Sequence, residues 1–112
     1  MPLDQDLIPT LRALLARLVP ADDAPGAAEI DAERFVLSLL DEYPEWAEIY
    51  RIGLTELTQI RFAELPVQTQ DEAIHNLERE GSQFLHLAAQ NAIEAFYTSP
   101  TGLELVGFRV TG

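Results

Sequence analysis

Two prolines set five residues apart, Pro20 and Pro25, bracket the tandem pair Asp22-Asp23, and Gly26 follows at once. No helix runs through such a stretch, because proline lacks the backbone N–H and pushes the residue before it toward extended φ/ψ. The Pro-Gly step favours a turn with positive φ at the glycine, and both aspartates can fold their carboxylates back on nearby N–H groups. Residues 18–27 therefore read as a rigid polar hinge. One short helix precedes it and a helical body follows.

Ahead of the hinge, Leu7, Ile8, Leu11, Leu14, Leu15, Leu18 and Val19 recur at i, i+3, i+4 and i+7, which predicts an amphipathic helix over residues 5–19. Asp4 and Asp6 at its start and Arg17 near its end suit the helix dipole. After the hinge, Asp31 is the expected N-cap of a second helix over 32–42 with Phe35, Val36, Leu39 and Leu40 on its apolar face. Pro44 suits the first position of a third helix, read over 44–64. Trp46, Ile49, Tyr50, Gly53, Leu57 and Ile60 make one stripe there, while Ile52 and Phe62 fall off it. A helix that broad is expected to be central. Gly53 in mid-helix costs about 1 kcal/mol relative to alanine, which points to close approach by another helix or by a partner backbone.

Leu65-Pro66-Val67-Gln68 is the next break, and Thr69 with Glu72 three residues on has the form of a capping box. A fourth helix over 70–80 follows, with only Ala73, Ile74 and Leu77 apolar, so it is an outer helix stopped by Gly81. Ser82 can cap a fifth over 83–98, where Phe84, Leu85, Leu87, Ala88, Ala89, Ala92, Ile93, Phe96 and Tyr97 leave almost no polar face between 84 and 89 and mark it as the buried core helix. Past Pro100, Leu103, Leu105, Val106, Phe108 and Val110 alternate with glycines and polar residues. This segment reads as an extended arm that either packs over the helices or adds to a partner's sheet edge. The expected architecture is all-α: a single domain over 1–112, a compact bundle of about five helices with an extended C-terminal arm.

Nineteen acidic residues stand against seven arginines and no lysine, a net charge of −12. Such a surface repels phosphate backbones and anionic lipids, so neither nucleic acid nor membrane insertion is expected. No apolar run approaches the ~20 residues that span a bilayer. The N-terminus lacks the basic region and apolar core of a signal peptide. A cytoplasmic location is expected on that ground, with a periplasmic place beside an exported partner as the alternative. Without cysteine there can be no disulfide, thiolate metal site or thiol nucleophile.

Catalytic chemistry is hard to find. Glu72 and His75 have the Glu-x-x-His spacing of a helical ligand pair, but a di-metal bundle needs two such pairs and further carboxylates. Asp22-Asp23, Asp41-Glu42 and Asp71-Glu72 are adjacent acids on polar stretches, and Ser38, Ser82 and Ser99 lack a nucleophile motif. No metal, cofactor or catalytic residue is expected in this chain.

Three stretches resemble the gluconate 2-dehydrogenase subunit 3 family. They are Val19-Pro20-Ala21-Asp22-Asp23 through Pro25-Gly26-Ala27, Tyr50-Arg51-x-Gly53-Leu54-x-x-Leu57, and Phe84-x-x-Leu87 leading to Phe96-Tyr97-x-x-Pro100. The resemblance implies a small non-catalytic subunit of an oxidoreductase complex, associated with a large FAD-dependent dehydrogenase of sugars or sugar acids and often with a cytochrome c subunit. In that family the small subunit supports assembly and maturation of the flavoprotein, a chaperone-like task, and the FAD belongs to the partner. Partner contacts are expected at Asp22, Asp23 and Pro25 in the hinge, at Trp46 and Tyr50, and at Phe96, Tyr97 and Phe108, since large aromatics are frequent interface anchors. The alternative is a stand-alone helical interaction module with no dehydrogenase partner.

Overall fold

The computed structural model describes residues 2–21 and 26–99. Its elements are α1 (Ile8–Leu18), α2 (Ala32–Glu42), α3 (Pro44–Gln59), α4 (Val67–Arg79) and α5 (Gln83–Thr98), with 3-10 turns at Gln5–Leu7 and Phe62–Glu64 and no strand among the described residues. The all-α bundle of five helices expected from periodicity is what forms. The arm beyond Ser99 lies outside the described residues, as do the hinge positions 22–25.

Where boundaries moved, a backbone detail moved them. Pro9 sits in the first turn of α1. Its ring would crowd the carbonyl four residues back, so residues 5–7 wind as a tighter 3-10 turn and the α-helix starts at Ile8. Asp31 precedes α2 as expected, but it does not cap it through its side chain. It adopts φ 57°, ψ 43° and closes a short turn, with Asp31 N–H donating to Ala28 O at 3.3 Å and Ala32 N–H to Ala27 O at 3.0 Å. Aspartate tolerates this left-handed conformation better than most residues, and its carboxylate lies 3.3 Å from Arg34 instead.

The third helix ends at Gln59, not at 64. Arg61 takes φ 55° and its N–H donates to Thr58 O at 3.0 Å, after which residues 62–64 form a separate 3-10 turn. That turn swings Phe62 into the core, where it is fully buried. At the other break, α4 starts at Val67 with Pro66 at the N-cap position. Thr69 and Glu72 therefore fall inside the helix, and the capping box does not form. Gly81 and Ser82 behave as their residue types dictate. Gly81 at φ 70° ends α4, with Gly81 N–H on Glu78 O and Ser82 N–H on Leu77 O, both at 3.0 Å, the paired bonds of a Schellman motif. Ser82 Oγ then accepts from Leu85 N–H at 3.1 Å and caps α5.

Among the described residues the core is drawn from every helix except α4. Leu11, Leu14 and Leu15 of α1, Val36 and Leu40 of α2, Tyr50 and Leu54 of α3, Phe62, and Ala88 and Ala92 of α5 are essentially inaccessible. Both α1 and α5 pack against every other helix, whereas α3 packs on α1, α2 and α5 and scarcely meets α4. The centre is thus shared by α1 and α5, and α3 occupies a flank. One polar tie crosses this core margin. Thr58 donates to Leu54 O at 2.7 Å, so in its 2.7 Å contact with Thr10 it is Thr10 that donates. Near the hinge, Ala27 N–H donates to Val19 O at 2.9 Å and joins the two ends of that loop. Gly26 is required there for space, since a Cβ would meet Ala21 at 2.8–3.0 Å.

Candidate functional site

Because α3 and α4 stand apart, an apolar groove of about 460 Å³ opens between them, floored by the first turn of α5. One wall is a ridge of α3, from Ile49 and Ile52 to Glu56, continued by Ile60 at its C-cap; the other is Ala73, Asn76 and Leu77 of α4. Phe84 forms the floor against Gly53. Ile52 and Ile60 keep 50% and 51% of their surface exposed, far above what a closed helix pair leaves open.

Gly53 sets the depth of this groove. A Cβ placed there would lie 2.2 Å from Cγ of Phe84, so only glycine lets the ring lie flat on the α3 backbone. Below it, Tyr50 meets Phe84 edge-on at 5.6 Å and accepts a 2.8 Å hydrogen bond from Asn91 Nδ2. Burial pushes the Tyr50 phenol up to about 12, the hydrogen bond from Asn91 opposing the shift. Asn91 Oδ1 is buried without a hydrogen-bond partner.

Two polar ties hold α4 in place as the second wall. Gln70 Nε2 donates to Phe62 O at 2.8 Å. Arg17 grips Asp71 with two hydrogen bonds, 2.8 and 3.0 Å, from α1. Hydrogen bonding to Arg17 holds the Asp71 carboxyl below its ordinary value, and the same bond raises Arg17. The other described arginines are also engaged: Arg12 with Glu33, Arg34 with Asp31, Arg51 with Glu48, Arg61 with Glu64, and Arg79 with Asn76. Glu56, exposed on the groove wall, has no cationic partner among the described residues.

The residues expected at a partner contact are scattered. Asp22, Asp23, Pro25 and Phe108 lie outside the described residues. Tyr50 is fully buried in the core. Trp46 is half-buried and stacks on Tyr43 at 4.4 Å with 26° between the rings, at the corner between α2 and α3. Phe96 and Tyr97 meet edge-on at 5.6 Å near the end of α5, Phe96 half-buried and Tyr97 47% exposed. Of the four that are described, Trp46, Tyr50, Phe96 and Tyr97, none lines the groove. Ile52 and Ile60 are the large apolar side chains of its lining that stand exposed. The signal for Ile52 was its position off the buried stripe of α3, a large aliphatic residue facing away from the core.

Glu72 and His75 are both exposed on α4, and His75 lies 3.4 Å from Glu78. Among the described residues no group of three or more His, Cys, Asp or Glu side chains is placed to hold a metal ion. No described helix is long and apolar enough to cross a membrane.

Neither the curated proteins nor the solved structures contain a match to this chain. The family model described as gluconate 2-dehydrogenase subunit 3 matches residues 5–111, which takes in all five helices, the hinge and the C-terminal segment together. The chain belongs to the gluconate 2-dehydrogenase subunit 3 family.

Proposed function

We propose that this chain is the non-catalytic small subunit of an FAD-dependent sugar or sugar-acid dehydrogenase complex, and that it supports folding, assembly or maturation of the large flavoprotein. The observation that carries this reading is the family match over residues 5–111. The half-exposed Ile52 and Ile60 beside a preformed apolar groove give it a surface suited to a protein partner. FAD is held by the large subunit, and a cytochrome c subunit can complete the electron path. The compartment follows that of the large subunit.

The test is to express the large flavoprotein from the same host with and without this chain. Without it, the large subunit is expected to be insoluble or poor in flavin; with it, soluble, yellow and active. Equal yield, flavin content and activity in both cultures would overturn the proposal. The shared apolar core of α1, α2, α3 and α5 favours one second reading, a stand-alone interaction module. Recovery of a colourless, monodisperse protein that brings down no flavoprotein from its host would support it.

A further inference from the structure

We infer that the groove between α3 and α4 receives an amphipathic helix of the large subunit, which lays an apolar stripe on Ile52, Ile60 and Phe84 and places an arginine or lysine over Glu56. This rests on the small-subunit reading above and assigns the docking face.

Three properties of the groove select that occupant. Its walls are both helices whose backbone groups are bonded internally, and no strand lies among the described residues. An extended peptide would find no sheet edge to pair with, so the occupant must satisfy its own backbone, as a helix does. The α3 wall presents side chains at positions 49, 52 and 56, with the C-cap residue Ile60 next in line, the three- and four-residue spacing that forms a ridge for another helix to pack against. Finally, the exposed carboxylate of Glu56 has no cation beside it among the described residues, and each described arginine is engaged elsewhere. Other described carboxylates also lack an ion-pair partner, but Glu56 is the charged residue on the described lining of the groove, so a cation on the occupant would meet it there.

The experiment is co-expression of the full chain, tagged at its N-terminus, with the large flavin-dependent subunit of the same host, reading flavoprotein recovered per small subunit. Ile52→Glu/Ile60→Glu is expected to lower recovery at least about tenfold, as expected for apolar interface anchors. Glu56→Arg should lower it severalfold, and Glu56→Gln less. Ile93→Glu, on the exposed face of α5 and outside the groove, should leave it unchanged. If the unaltered chain recovers no flavoprotein, the small-subunit reading falls and this inference with it. If it does, but the groove variants recover as much, only the docking face is wrong.

A separate readout excludes cover by the chain itself. The isolated Ile52→Glu/Ile60→Glu protein should melt within about 4 °C of the unaltered one, as for exposed substitutions in a domain of this size. A much larger fall would show that this chain's own residues fill the groove and would overturn the inference.

Discussion

The ring of Phe84 rests on the backbone of Gly53, at a distance that a β-carbon would cut to 2.2 Å. Two effects of a Gly53→Ala change oppose each other. Alanine is the better helix former by about 1 kcal/mol, while overpacking a closed site costs about 1–3 kcal/mol. Phe84 is only 7% exposed and a ring cannot yield by a small rotation at Cγ, so overpacking wins. Net destabilisation of up to about 2 kcal/mol is expected, seen by thermal melting. Phe84→Leu introduced into the Gly53→Ala protein should recover part of the loss, because the crowded ring is gone.

Tyr50 and Asn91 form an isolated polar pair inside the apolar core, with Asn91 Oδ1 unpaired. Tyr50→Phe removes the acceptor of Nδ2 and leaves the whole amide unpaired, at an expected cost of about 1–3 kcal/mol. Replacing both, Tyr50→Phe/Asn91→Leu, should be less destabilising than Tyr50→Phe alone. A double-mutant cycle in urea measures this coupling, and additive losses would contradict it.

The same phenol gives an alkaline signature. Its folded value is raised to about 12 from an ordinary 10.0, so the folded state keeps a proton that the unfolded chain gives up. The stability this represents is complete below the ordinary value and is lost as pH rises from there to about 12. The Tyr50→Phe protein should lack that part of the decline, read from urea midpoints across the range.

At the acid end the tie between Arg17 and Asp71 works in the opposite direction. The folded carboxyl lies below its ordinary value, so the contribution is present above about pH 4 and fades as pH falls through the lower folded value. Protonation also relieves repulsion among the surplus carboxylates, so the signal is the difference between the unaltered chain and Asp71→Asn. That difference should be largest near neutrality and should shrink in acid.

The boundary between α4 and α5 depends on two adjacent residues. Gly81→Ala forces a β-carbon into a left-handed backbone at φ 70° with open space around it, so strain alone acts and about 1–2 kcal/mol should be lost. Ser82→Ala removes the Oγ that accepts from Leu85 N–H, with about 0.5–2 kcal/mol expected. Chemical denaturation of each variant checks both.

The limits of sequence reading follow the same physics. The bounds of α2, set by its apolar stripe, and of α5, set by its apolar run and the Ser82 cap, were legible to the residue. The end of α3 was not, because its stop is an arginine in a left-handed conformation that glycine ordinarily signals. The start of α4 was hidden by Thr69 and Glu72, which imitate a capping box two residues inside a helix that Pro66 had already begun. The groove was legible only as an anomaly at Ile52. Its existence depends on how far α4 stands from α3, and that depends on the long-range tie from Arg17 to Asp71 and the nearer one from Gln70 to Phe62.

Those ties give α4 a distinct place in the energetics of the molecule. Gln70 is its only buried side chain, and Ala73, Ile74 and Leu77 are only partly covered. The helix is thus fastened by two polar ties and by apolar side chains that only flank the core, while α1, α2, α3 and α5 share the apolar interior. Its amides should exchange with deuterated solvent through a partial opening of lower free energy than global unfolding. In that opened form the two walls separate while the Phe84 floor stays in place, so a hydrophobic segment could enter sideways without threading through a closed mouth.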